Sequence, residues 1–247
     1  MKHLLLYLIF LFGCFQITAQ AIEWQTLNEP GNGGRTTDVA INPNNPNHIL
    51  VSGDMLGLGY SIDGGQTWQP TFGFNSYELG AISFNPNNTD VVWVGSMSGP
   101  FKSIDGGLTW SLMRNGMPAI QNYFYTCPVE LILFDPANGE RLLAFGGSKR
   151  DWNNRGEPKW NVVWESLDNG ESWSALTTVG TPTRPGITSA VFAGEEKIFA
   201  ALRDQGLWVS VDRGVTWEQV NGLPDFADVY HVAVDPTNAS ILYVYCL

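Results

Sequence analysis

Hydrophobic positions in this chain fall into short runs, each closed by a polar turn. Val39-Ala40-Ile41-Asn42-Pro43, Ile82-Ser83-Phe84-Asn85-Pro86, Ile132-Leu133-Phe134-Asp135-Pro136 and Val232-Ala233-Val234-Asp235-Pro236 are alike, with Ser189-Ala190-Val191-Phe192-Ala193 in the equivalent place. An apolar run ending in Asn/Asp-Pro predicts a short strand and a tight turn. A second run follows each turn: Ile49-Leu50-Val51-Ser52, Val91-Val92-Trp93-Val94, Leu142-Leu143-Ala144-Phe145, Ile198-Phe199-Ala200-Ala201 and Ile241-Leu242-Tyr243-Val244. Further along, alternating segments such as Trp208-Val209-Ser210-Val211 and Trp217-Glu218-Gln219-Val220 flank a fixed polar motif. The pattern is strand, turn, strand, repeated.

The fixed motif occurs four times, as Ser61 to Trp68, Ser103 to Trp110, Ser166 to Trp173 and Ser210 to Trp217. In each copy an aspartate precedes a glycine by two residues, and a tryptophan closes the motif. The carboxylate is suited to accept nearby backbone N–H groups, and the glycine to take positive φ without a Cβ clash. The motif is therefore a corner between two strands. One unit holds four antiparallel strands in about 45 to 60 residues, and small four-stranded sheets repeated at such a period describe an all-β propeller. The units are expected at approximately 38–71, 80–113, 129–176 and 187–220, with an incomplete fifth at 231–247.

The corners resemble the Asp-box, or BNR, repeat S-x-D-x-G-x-T-W of sialidases, sortilin-type receptors and certain glycoside hydrolases. Three copies match in full, and the third carries Ser172 where Thr is usual. Asp63, Trp68, Asp105, Trp110, Asp168, Trp173, Asp212 and Trp217 are accordingly structural box residues, not catalytic ones. Fold does not fix activity, because sites are grafted onto shared scaffolds.

Strand alternation sorts the loops by face. The Asn/Asp-Pro turns and all four boxes share one face, and the remaining loops share the other. That opposite face holds the long aromatic segments, including Phe72 to Glu78, Arg114 to Pro128 and Ser148 to Trp160. Extended loops in an economical repeat are where function tends to sit. Tyr77, Tyr123, Tyr125, Trp152 and Trp160 are candidate platforms for sugar rings, the alternative being that they cover loops and fill gaps between sheets. Asp54, Glu78, Asp151, Glu157, Asp204 and Glu130 are the carboxylates expected there, and glycoside hydrolysis generally requires two.

The stretch Gly31-Asn32-Gly33-Gly34, then Ile41-Asn42-Pro43, then Gly53-Asp54-Met55-Leu56-Gly57 resembles the opening of family 74 glycoside hydrolases, the xyloglucanases. That resemblance implies that Asp54 is the general base and that the general acid comes from a second propeller. The family usually has Gly-Gly soon after this Asp, where Met55-Leu56 intervene here. The implied function is binding or hydrolysis of a neutral polysaccharide such as a β-glucan, with a catalytic site incomplete in the isolated chain. The rival reading is a non-catalytic, sortilin-like propeller that binds a protein or a cell-surface glycan. A sialidase is disfavoured, since the inner strands carry no arginine triad.

Charge narrows the partners. The net charge of −11, with 13 Lys plus Arg against 24 Asp plus Glu, argues against nucleic acid and anionic membranes. Lys2 and His3, the apolar run Leu4 to Phe12 and small residues near Ala19 and Ala21 form a secretory signal peptide over 1–21, too short to span a bilayer. The expected location is secreted, periplasmic or cell-surface, with lipidation at Cys14 a minor alternative. Cys127 and Cys246 are expected as free or buried thiols. No Cys/His cluster or Gly-rich phosphate loop calls for a metal or cofactor, and His48 and His231 stand alone in the sequence. Residues 22–28 resemble a fourth strand without its own box, so the chain reads as the N-terminal part of a larger ring.

Overall fold

The computed structural model describes residues 35–55, 57–76, 80–118, 127–146, 161–180, 187–222 and 229–246. The first sheet is built from β1 (Thr36–Asn42), β2 (Asn45–Gly53), β3 (Leu58–Ser61) and β4 (Gln69–Pro70). The second comprises β5 (Ile82–Phe84), β6 (Val92–Val94), β7 (Phe101–Ser103) and β8 (Ser111–Leu112). The third holds β9 (Val129–Phe134), β10 (Leu142–Gly146), β11 (Val162–Ser166) and β12 (Ser174–Thr178). The fourth holds β13 (Ile187–Ala193), β14 (Lys197–Leu202), β15 (Gly206–Ser210) and β16 (Glu218–Gln219), and a fifth sheet pairs β17 (Val229–Asp235) with β18 (Asn238–Cys246). Every pairing is antiparallel between strands consecutive in sequence. The first strands β1, β5, β9, β13 and β17 pack side by side in that order, so the sheets stand as propeller blades about one axis. The described residues contain no helix.

The core lies between blades, because each small sheet is apolar on both faces. Leu50 meets Val92, Phe101 and Trp110 at the first seam. Trp93 meets Ile132, Ala144 and Trp164 at the second, and Leu143 and Phe145 meet Ile198 and Leu202 at the third. Ala201 and Leu207 meet Val229 and Val232 at the fourth. The free thiol of Cys127 is buried at the second seam, and burial pushes it up to about 12, which leaves it protonated and unreactive.

The corners obey one hydrogen-bond scheme. The Asp63 carboxylate accepts Ser61 Oγ at 2.8 Å, Thr67 N at 2.9 Å and Thr67 Oγ1 at 2.6 Å, while Ser61 Oγ accepts Gly65 N at 2.8 Å. Asp105, Asp168 and Asp212 repeat it, and Ser172 donates to Asp168 at 2.6 Å as well as a threonine would. The residue before the corner glycine also has positive φ, at Gly64, Gly106, Asn169 and Arg213. Its N–H donates to the first hairpin turn of the same sheet, to Asn47, Asp90, Glu140 and Glu196 carbonyls respectively. Boxes and Asx-Pro turns therefore share a face.

Each corner also packs on the preceding blade. A Cβ on Gly107 would lie 2.8 Å from Leu50, on Gly170 2.1 Å from Trp93, and on Gly214 3.3 Å from Leu143. At the first two of these seams only a residue without a side chain permits that approach without displacing its neighbour. At the third seam an ion cluster reinforces it. Arg141 donates to Asp135 at 2.7 Å and to Glu165 at 2.6 Å, and Arg213 reaches from the fourth box to the same Asp135. The Asp135 side chain is wholly buried, which alone would raise its pKa, but the hydrogen bonds from the two guanidinium groups outweigh this and hold it below the ordinary carboxylate value.

Hydrogen bonds from the Thr or Ser at the seventh box position hold Asp63, Asp168 and Asp212 at about 2, below the ordinary 3.8. A carboxylate lowered on folding stabilises the native state above its unfolded value, and that contribution is lost as pH falls through the folded one. The urea midpoint should therefore drop between pH about 4 and about 2, and the triple change of these aspartates to Asn should flatten that drop. Separately, Gly170→Ala should destabilise by about 2–4 kcal/mol in urea titration, from the contact with Trp93 and the positive φ. Gly194→Ala, with a φ of +80° but nothing within 4 Å, should lose only about 1 kcal/mol.

Candidate functional site

Two features mark the face opposite the boxes. The first is Asp54, which follows the last residue of β2 and ends the Gly53 turn. Its Oδ1 accepts the backbone N–H of Arg35 at 2.8 Å, and its own N–H donates to the Arg35 carbonyl at 2.9 Å. Gly53 N donates to Gly57 O at 3.0 Å, and Gly57 has a φ of +80°, so the turn that carries Asp54 is tied at both ends. The carboxylate is half-buried at the rim of the first blade, and Met55 beside it is 69% exposed.

The second feature is a cavity of about 240 Å³ on the axis. All five first strands contribute to its wall, chiefly through Asp38, Ser83, Glu130, Thr188, Ser189 and His231. These positions lie near the starts of their strands, the end away from the boxes. Asp38 pairs in register with Ser52, so it sits just below Asp54 on the adjoining strand. Sequence reading singled out Asp54 and included Glu130, but left Asp38 unremarked and His231 alone. The axis brings Asp38, Glu130 and His231 around one space.

Most of the polar lining is engaged in joining blades. Asp38 Oδ2 accepts Ile82 N at 2.7 Å, and Ser83 Oγ donates to Ile132 O at 2.8 Å. Thr188 Oγ1 donates to Val229 O, and Ser189 Oγ donates to Val232 O, both at 3.3 Å. With these donors committed, the lining offers mainly acceptors. It includes no Lys or Arg among the described residues, which disfavours an anionic ligand. No group of His, Cys, Asp and Glu among the described residues has the arrangement of a metal site.

Tyr77, Tyr123, Tyr125, Trp152 and Trp160 lie outside the described residues, as do Glu78, Asp151 and Glu157. The signal peptide, Cys14 and the segment 22–28 also lie outside them. Part of the segment read as a ligand-facing loop has a packing role. The Phe74 ring lies tilted against Phe101 with centroids 4.3 Å apart and meets Trp110 edge-on at 6.4 Å, joining the first two blades. Asp204 occupies a positive-φ position in the turn between β14 and β15, with a φ of 56°.

The BNR/Asp-box repeat family matches residues 60–70, the first of the four corners. Among solved structures, an ancestral GH74 enzyme superposes with a TM-score of 0.70 and 25% identity over 91% of this chain. The fold is a β-propeller whose corners follow the Asp-box repeat pattern. The chain spans only 29% of that enzyme's length. The GH74 xyloglucanase from Xanthomonas campestris matches at a TM-score of 0.60 and 15% identity, covering 87% of this propeller and 35% of that chain. YCF48 bound to a D1 peptide matches equally well, at 0.60 and 15%, over 93% of this propeller and 66% of that chain. These last two likenesses speak to fold alone. No curated protein matches the sequence.

The axial bond of Asp38 has a measurable weight. Asp38→Ala leaves the buried Ile82 N–H without its acceptor and should destabilise the propeller by about 1–3 kcal/mol in urea titration. Asp38→Asn keeps an acceptor oxygen and should stay within about 1 kcal/mol of the parent.

Proposed function

We propose that this propeller binds a neutral polysaccharide of the β-glucan class across the face that carries Asp54. In this reading Asp54 is the general base of an inverting glycoside hydrolase, and the general acid stands on a separate unit. The observation that carries the proposal is the placement of Asp54, held at the rim by the Arg35 backbone within a chain that superposes on a GH74 enzyme. A base in such a reaction removes a proton from water on one side of the sugar while an acid protonates the leaving oxygen on the other. A tied turn suits that task, because proton abstraction requires a carboxylate fixed within hydrogen-bond reach of the water. Low charge content and an acceptor-rich axis with no Lys or Arg among its described lining residues favour a hydroxyl-bearing ligand over an anionic one. The leader over 1–21 fits a protein that meets its polymer outside the cytoplasm.

The test uses xyloglucan and mixed-linkage β-glucan oligosaccharides. The chain should bind at least one of them in calorimetry, and should release little or no reducing sugar without a partner unit. Asp54→Asn should keep the melting temperature within a few degrees, since the Oδ1 acceptor remains, and should abolish whatever turnover the parent shows. Undiminished turnover in Asp54→Asn removes this residue from the chemistry. Failure to bind any neutral glycan overturns the proposal.

A further inference from the structure

Main-chain bonds to Arg35 anchor one end of the Asp54 turn, and the other end meets a ring from beyond the first sheet. Gly57 closes the turn with a φ of +80°, and a Cβ built there would lie 3.7 Å from Phe74 Cδ1. The Phe74 ring therefore stands against the turn that carries Asp54. Its other neighbours belong to the second blade, Phe101 on β7 and Trp110 in the second box. One aromatic side chain bridges the candidate base and the first seam.

The backbone on which Phe74 sits is itself fixed by that box. Phe72 N donates to Leu108 O and Trp110 N donates to Phe72 O, both at 2.9 Å. Gly73 follows with a φ of +79°, and a Cβ there would lie 2.3 Å from Trp110 O, so only glycine fits between them. The position of the corner thus passes through Gly73 to Phe74, and from the ring to Gly57. The next blade repeats the anchoring. Trp173 N donates to Asn115 O at 2.9 Å, a Cβ on Gly116 would lie 2.1 Å from Trp173 O, and Met117 follows, buried at the second seam.

The two blades differ in the turn that is held. Gly95-Ser96-Met97-Ser98-Gly99 matches Gly53-Asp54-Met55-Leu56-Gly57, with Ser96 at the place of Asp54. Ser96 Oγ donates to Gly99 O at 2.8 Å and fixes its turn from within. An ionised carboxylate has no proton to give, so the Asp54 turn relies on outside groups, Arg35 and Phe74 among them.

We propose that Phe74 is a positioning residue for Asp54, transmitting closure of the first seam to the carboxylate and holding it at the rim. The inference rests on the reading of Asp54 as the general base, and it makes the competence of that base conditional on a closed seam.

The amides of Arg35, Gly53 and Asp54 make the bonds of the turn, and their hydrogen exchange in the intact chain reads its opening. Phe74→Ala should speed exchange at all three by about tenfold or more. Met117→Ala, a comparable truncation at the next seam, should leave them within about twofold of the parent. Phe74→Tyr keeps the ring and should restore parental rates. If Phe74→Ala does not fold, Phe74→Leu is read at the same amides and should accelerate them in the same direction. Unchanged exchange in the folded variant overturns the proposal. So does equal acceleration by Met117→Ala, which would mark a general loosening instead of a local one. Calorimetry with a mixed-linkage β-glucan oligosaccharide keeps the two readings apart: a parent that binds no glycan overturns the function proposed for the face, whereas the exchange rates decide the role of Phe74.

Discussion

How closely the blades stack is set by the absence of a side chain at one corner position. Gly107, Gly170 and Gly214 each bring backbone against the second strand of the sheet before, at distances no Cβ tolerates without displacement at the first two seams. A sheet this small has little core of its own. Its stability comes from covering a neighbour, and the corner glycine determines how completely that cover closes. The T-shaped Trp93–Trp173 contact and the tilted Phe74–Phe101 pair both exist because the backbones come near enough for rings to interleave.

The box carboxylate enables that approach indirectly. It gathers the serine hydroxyl, the seventh-position hydroxyl and a backbone N–H around itself, which fixes a turn with two consecutive positive-φ residues. In two boxes the first of these is glycine, and in the others Asn169 and Arg213 accept the left-handed conformation. At Arg213 the conformational cost is offset by the guanidinium, which reaches the buried Asp135 on the preceding blade. The fourth box thus replaces conformational ease with a charged link at one seam.

Much of the architecture was legible because its signals are local. Asn/Asp-Pro turns, alternating strands and the box each occupy fewer than ten residues, and the structure places them on the faces that alternation implied. The replacement of Thr by Ser172 left the corner intact because only a hydroxyl is needed there. What escaped was non-local. Asp38 gives no signal in its own segment, since its role is to receive an N–H from Ile82 on the next blade. His231 reads as solitary until five strands converge on one axis. Arg213 and Asp135 stand far apart in sequence, and no periodicity relates them. The loop from Phe72 to Glu78 was assigned to the ligand-facing mouth by its length and aromatic content, whereas the neighbouring blade claims the ring of Phe74 within it. Asp54 was reached through a motif, and its turn does present it on the expected face.

The perpendicular indoles of Trp93 and Trp173, with centroids 5.8 Å apart, straddle the second seam. Two chromophores so near couple optically, and the coupling weakens steeply, as the inverse cube of their separation, when the sheets part. The molecule therefore carries its own spectroscopic gauge of whether one particular pair of blades is closed, readable in near-ultraviolet circular dichroism without any added label.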